Sequence, residues 1–376
     1  MEINNIAVGI VPFTTSCVPL ISNLGLINPI WKLAAAVSPS GIGVLGKDLC
    51  LLQNTAPCGI VGTDQLSSLD PCSVIVISPG NENSPDLYQM SLDAIAYSLE
   101  AGKEVWCLQK LSAQEQSEFA RQAKSNGAVF HYLKPEKLPV ADGSDTNAKL
   151  FVPKVPVIGI GELVDDVDGF DVLLGTVQEC RRRGLRVSVI CRQRLGILFG
   201  FHAAKLFPSK IAPEEHIRRL NKLLQQIDEE EKPDLIFVLF PRPMIPYDAK
   251  IVFDFGVSAF LLAQAIKPDY FICCSTLGTL SPDFWQAMSQ NFAAKFGFNI
   301  DAVHFSNRFY DDSEEVRFSN HLPRICFPPA FAADAAMQAK FWPGQMIFDF
   351  KSQQGLAAWY EYISTTLLHA PYYVLD

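Results

Sequence analysis

The residues with the strongest chemical pattern lie between Val155 and Gly184. Val155-Pro-Val-Ile-Gly-Ile-Gly161 reads as a short apolar strand ending in Gly-x-Gly, and Glu162-Leu-Val-Asp-Asp-Val-Asp-Gly-Phe170 reads as a polar loop. Apolar residues then recur at Phe170, Leu173, Leu174, Val177 and Cys180 with helical spacing, and Gly184 follows the basic turn Arg181-Arg-Arg183. Strand, loop and helix in this order have the shape that cradles phosphate on backbone amides and a helix N-terminus. The loop nevertheless lacks the Lys that reaches the β and γ oxygens of a nucleotide and the Ser or Thr that holds Mg²⁺. It carries instead Glu162, Asp165, Asp166 and Asp168, with Gly169 near the expected Lys position, and carboxylates repel an anion. Two readings of Gly159, Gly161 and Gly169 stay open. One is a tight turn that lets a helix pack on a sheet, and the other is a carboxylate-lined pocket for a cation or a basic peptide.

A second glycine-rich run, Ser38-Pro-Ser-Gly-Ile-Gly-Val-Leu-Gly-Lys-Asp48, matches both G-x-x-x-x-G-K and G-x-G-x-x-G. Asp48 stands where Mg²⁺ needs a hydroxyl, and Leu49 to Pro57 is too short for the helix either motif requires. The run reads as a glycine-rich loop. Ser38, Gly41, Gly43, Gly46, Lys47 and Asp48 are kept as candidate ligand contacts, with Lys47 as the group for an anion.

Further candidates stand where parallel strands hand their C-terminal ends to loops, the edge on which open α/β sheets place ligands. They are Arg192, Arg242 in the proline-rich run Pro241 to Asp248, Ser275 in Ser275 to Thr279, and the run Ser306-Asn-Arg308. His202 stands near Arg192 in sequence and is a candidate acid, base or ligand. No second ligand stands at metal spacing from it, and no G-x-S-x-G elbow occurs.

The elements that must position these groups alternate. Strands are expected at 6–10, 31–37, 59–61, 73–77, 104–108 and 128–132, with helices from Thr14–Ser16 through Asn23, over 85–101 and up to Asn126. This predicts a Rossmann-like domain over 1–135. The stretch 136–154 is rich in Pro, Asp and Gly without periodicity and reads as a linker. The pattern resumes over 155–310, with helices at 213–230, 249–265 and 282–296 between strands at 185–191, 234–240, 269–274 and 299–305. The fold class is α/β with two Rossmann-like parallel-sheet domains, the second a degenerate P-loop-like domain. Residues 311–376 form a C-terminal extension, with an edge strand at 346–350 and a closing helix at 356–368 whose Trp359, Tyr360 and Tyr362 read as core against the sheet.

Composition bounds the function. With 49% hydrophobic and 19% charged residues the chain supports two cores, and large-scale disorder is excluded. A net charge of −9 disfavours nucleic acid as a partner. None of the 10 cysteines forms a C-x-x-C pair, so no zinc ribbon, thioredoxin motif or iron–sulfur run is supported, and a reducing cytoplasm is the expected compartment. No apolar run reaches membrane-spanning length. No metal site is expected, the sequence leaves the cofactor unassigned, and a homo-oligomer is one of the open assembly states.

Several stretches together resemble one family, the clostridial-type peptide maturation system proteins. They are Val11-Pro-Phe13, Ser38 through Asp48, Gly161-Glu162 with Phe170, Phe199-Gly-Phe-His202, Glu230-Glu-Lys-Pro-Asp234, Phe255-Gly256 with Ala259-Phe260 and Gln264-Ala265, Pro268-Asp269, and Phe296-Gly-Phe298 through Ser306-Asn307. Members tend to carry Lys where Gly169 stands and Gly-Gly where Arg242-Pro243 stands, so a phosphate function at those positions would be lost or changed here. The resemblance implies an accessory protein in the maturation of a ribosomally synthesised, post-translationally modified peptide, acting with a radical-SAM maturase. A precursor peptide or small ligand would be held in the cleft between the domains. The alternatives are a nucleotide-dependent ligase or transferase of P-loop descent, and a scaffold protein whose apolar surface lies on the closing helix.

Overall fold

The apolar runs Val74–Ile77 and Tyr270–Thr276 are buried along their whole length, as strands covered on both faces must be. The computed structural model describes residues 5–53, 56–80, 84–135, 137–139, 149–204, 211–277, 281–310, 324–328 and 346–368, and places these runs inside two parallel sheets. The chain divides into two compact units, Met1–Pro135 with Gln193–Ala203, and Glu136–Arg192 with Ala204–Asp376. Much of the expected linker (136 and 140–148), the loop residues 81–83 and 278–280, and 329–345 of the C-terminal extension lie outside the described residues.

In the first unit β1 (Ile6–Val11), β2 (Trp31–Ala36), β3 (Val74–Ile77), β4 (Glu104–Cys107) and β5 (Val129–Tyr132) form a sheet of order β2-β1-β3-β4-β5, with every pairing parallel. Helices α1 (Val18–Ile27), α2 (Pro85–Glu100) and α3 (Ala113–Asn126) connect the strands. The last starts with a capping box between Ser112 and Glu115 and ends on Gly127 at φ 67°, both signals that the sequence displays. The strand expected at 59–61 does not form. Gly59 adopts φ 78°, and only isolated bridges follow at Val61, Gly62 and Thr63.

The second sheet has the order β14-β11-β10-β6-β9-β7-β8, built from β6 (Val157–Glu162), β7 (Val187–Cys191), β8 (His202–Ala203), β9 (Leu235–Pro243), β10 (Tyr270–Thr276), β11 (Ala302–Ser306) and β14 (Met346–Ile347). The hairpin β12 (Arg308–Tyr310) and β13 (Arg324–Cys326) stands apart as an antiparallel pair. Strand β6 lies between β9 and β10, so the chain winds outward from it in both directions and its C-terminal end is a switch point of the sheet. Helices α4 (Gly169–Arg182), α5 (Pro213–Glu231), α6 (Val257–Ala265) and α7 (Pro282–Phe296) accompany the strands.

Helix α6 begins eight residues later than the periodicity predicts. Phe253, Phe255 and Gly256 take positive φ, and the Asp254 carboxylate accepts from the N–H groups of Gly256 and Ser258, so the helix cannot start before this cap. The C-terminal extension belongs to the second core. Its closing helix, Gln353–Ile363, buries Trp359 completely against Phe350 and Phe237, with ring centroids 5.7 and 6.4 Å away. Arg183 of the α4 cap lies 4.8 Å from the Tyr360 ring centroid and pairs with Glu361 at 2.9 Å.

Candidate functional site

The Gly-x-Gly pair does not form the loop. Gly159 and Gly161 lie inside β6, where a Cβ on Gly159 would stand 2.7 Å from Phe271 and one on Gly161 2.5 Å from the Met244 sulfur. Close packing of Phe271 and Met244 over the strand accounts for both glycines and places them in the core. The loop begins at Glu162 and is tied down by backbone bonds, with Leu163 N–H donating to the Cys274 carbonyl at 2.8 Å and Met244 N–H to the Glu162 carbonyl at 2.9 Å.

The amide cradle at the head of α4 is filled by the protein itself. Glu162 Oε1 accepts the N–H of Gly169 at 2.9 Å and that of Val167 at 3.1 Å, the groups a phosphate oxygen would take in a working loop. Asp168, the residue before the helix, sits at φ 69° with no side-chain cap of its own, so Glu162 supplies the cap from five to seven residues upstream. Gly169 is glycine for this reason: a Cβ there would approach Glu162 Cγ to 2.7 Å. Burial, with repulsion from Asp166 and Asp165, pushes the Glu162 carboxyl up to about 8, although the two amides pull the other way.

The carboxylates gather cations from distant parts of the chain. Arg308, just past β11, reaches Asp166 Oδ1 at 2.7 Å and Asp168 at 3.6 Å. Lys351, carried on the segment between β14 and the closing helix, stands 3.3 Å from Asp168 Oδ1, and the His304 ring on β11 stands 3.6 Å from Oδ2. Asp168 is 2% exposed and His304 1%. Burial works to raise the Asp168 carboxyl, but facing His304, Lys351 and Arg308 hold it well below the usual carboxylate range. Asp171 on the first turn of α4 moves the other way, pushed up to about 6 by burial and by the neighbouring Asp168 charge. Carboxyl groups pushed in opposite directions within one cluster make it the candidate functional site.

The other predicted residues separate from this cluster. Ser275 is fully buried at the end of β10, in register with Phe305 on β11. Arg192 is exposed after β7, and His202 lies in β8. Arg242 falls inside β9, because Pro241 and Pro243 continue the strand and Pro243 pairs with Glu162 across a bulge. The expected stiff loop therefore starts later, at Met244.

In the first unit Ser38 is buried, and Gly41, Gly43 and Gly46 take positive φ in an open loop that ends in exposed Lys47. Asp48 has a structural task, since its carboxylate accepts from the backbone N–H groups of Cys50, Cys58 and Gly59 at 2.9, 3.1 and 2.6 Å. Sequence reasoning missed Asp171, His304 and Lys351. A polar residue alternating into the apolar strand Ala302-Val-His-Phe-Ser306 was the available signal for His304.

No protein-family model matches the chain, and no curated protein does. Among solved structures, the crystal structure of a duf1611 family protein from Anabaena variabilis aligns with 95% of this chain and 100% of its own, with a TM-score of 0.56 at 12% identity. At that identity the likeness is one of fold. Among the described residues no helix is long and apolar enough to cross a membrane.

Proposed function

We propose that the chain is an accessory protein of ribosomal peptide maturation, working beside a radical-SAM maturase, and that the acidic edge of its second sheet holds a cationic segment of the precursor peptide. The observation that carries this reading is Glu162 seated on the Val167 and Gly169 amides. A nucleotide phosphate would have to displace that side chain and then meet Asp165, Asp166 and Asp168 without a loop Lys or a Mg²⁺-binding hydroxyl. Asp166 and Asp168 pair with Arg308 and Lys351, and Asp171 lies within the field of both cations, so three carboxylates meet two cations and the cluster keeps negative charge for an incoming ammonium or guanidinium. The order of matching stretches from Val11 to Asn307 supports the pathway.

The closing helix turns Trp359 inward, so a scaffold reading would need its apolar surface elsewhere. Exposed apolar side chains are found at Phe255, Val257 and Phe260 around the start of α6. Titration calorimetry with Mg·ATP tests the choice between accessory protein and P-loop-derived ligase. The expected result is no saturable heat, since each missing charge-assisted contact is worth about 1.5–3 kcal/mol. Saturable binding that strengthens in Glu162→Gln would support the ligase or transferase instead.

A further inference from the structure

Seven of the described cysteines, Cys17, Cys72, Cys107, Cys180, Cys191, Cys273 and Cys274, are buried, while Cys50 is half-buried and Cys58 exposed. The two that reach solvent are brought together beside a carboxylate. One ligand atom each from Asp48, Cys50 and Cys58 lies within 4.8 Å of the other two. We propose that Asp48, Cys50 and Cys58 form a binding site for a thiophilic divalent cation of the zinc class, with a fourth position open to water.

The geometry fits that chemistry. Zinc–sulfur bonds of about 2.3 Å and zinc–oxygen bonds of about 2.0–2.2 Å put neighbouring ligand atoms of a tetrahedral site about 3.5–3.8 Å apart. Cys58 Sγ already stands 3.4 Å from Asp48 Oδ1. Closing the remaining separation takes side-chain adjustment of about 1 Å, within reach of a thiol on the exposed arm. The two arms carrying the ligands are pinned to each other, with Gly46 N–H donating to the Gly62 carbonyl, Gly62 N–H to the Lys47 carbonyl and Leu49 N–H to the Ile60 carbonyl. The backbone therefore pays little further ordering entropy when an ion binds.

Asp48 is oriented as metal-binding carboxylates are. Its amide bonds from Cys50, Cys58 and Gly59 act as an outer shell that fixes the carboxylate, and Oδ1 also accepts the Cys58 thiol, whose proton the ion would replace. On binding, each thiol gives its proton to solvent and the cation takes two thiolates and one carboxylate, so the bound site is net −1 and two protons are released per ion. Three protein ligands with one open position is the arrangement of zinc sites that retain a water.

The test uses the full-length reduced chain titrated with Co(II) as a spectroscopic probe, followed by Zn(II). One equivalent of Co(II) should give a near-ultraviolet thiolate-to-cobalt charge-transfer band and tetrahedral visible bands, both lost when Zn(II) is added. Cys50→Ser and Cys58→Ser should each weaken Zn(II) binding by at least about tenfold. The double variant should melt within a few degrees of the metal-free wild type, because Cys58 is exposed, Cys50 only half-buried and serine nearly isosteric, and it should show no rise in Tm with Zn(II) where the wild type does. Absence of the charge-transfer band in the reduced wild type, its survival in the double variant, or an equal Zn(II)-induced rise in Tm for both proteins would each overturn the proposal.

Discussion

Replacing Glu162 with glutamine separates the two things that this side chain does. The amide oxygen of Gln can still accept the N–H groups of Val167 and Gly169, so the cap on α4 is kept, but the group no longer ionises. In the native chain the Glu162 carboxyl is raised from its usual 4.5 to about 8. The folded state therefore binds this proton more tightly than the unfolded state, and the stability it contributes is full below pH 4.5 and lost as pH rises through 8. At about 1.4 kcal/mol per pH unit the ceiling on that loss is about 5 kcal/mol. Partial solvent access and relaxation of the loop should reduce it to about 2–3 kcal/mol. Asp171, raised to about 6, acts in the same direction but finishes earlier, which leaves the window from pH 6 to 8 to Glu162. Urea unfolding of the second unit at intervals across that window should show the wild type losing stability and Glu162→Gln remaining nearly level. The two proteins should converge near pH 5. Parallel pH profiles for the two proteins would refute the assignment of Glu162 as a buried, neutralised cap.

Other substitutions probe the supports of the same site. Trp359→Ala should cost about 3–5 kcal/mol in denaturant unfolding, because a fully buried indole between Phe350 and Phe237 is removed; a loss under about 1 kcal/mol would mean that the extension is not core. Gly161→Ala should cost about 1–3 kcal/mol through overpacking on Met244 and Phe271, and a neutral result would contradict the strand assignment of the glycine pair. Asp168→Asn leaves Lys351 and Arg308 without their shared carboxylate and should lower stability by about 3 kcal/mol at pH 7, with the deficit vanishing as acid protonates the native Asp168; an equal deficit at all pH values would sink the ion-cluster account.

The elements were legible where local chemistry sets them. Pro213 and Pro282 open α5 and α7 where the sequence places them, Gly297 closes α7, and the continuous apolar runs become inner strands of the two sheets. The acid-rich loop after β6 was legible as a cluster of charges, but the cations that pair with it were not. Lys351 lies 183 residues from Asp168 in sequence and Arg308 142 from Asp166, and sheet order and the packing of Trp359 bring them together. Of the two readings of the Gly-x-Gly pair, sequence alone could not name the packing partners, because the glycines answer to Phe271 and Met244 and the position of Phe271 depends on β10 lying beside β6. Cys50 and Cys58 escaped a spacing rule for the same kind of reason: eight positions separate them, and the Asp48 carboxylate draws the two ends of the loop together.

The central claim is that the sheet edge at Glu162 is closed to phosphate and open to positive charge. Fluorescence anisotropy with labelled lysine- and arginine-rich peptides, and with glutamate-rich peptides of equal length, tests it directly. The basic peptide should bind, bind more weakly as ionic strength rises, and lose affinity in an Asp165→Asn/Asp171→Asn variant, while the acidic peptide should not bind. Equal affinity for the two peptides, or basic-peptide binding unchanged in the double variant, would contradict the account.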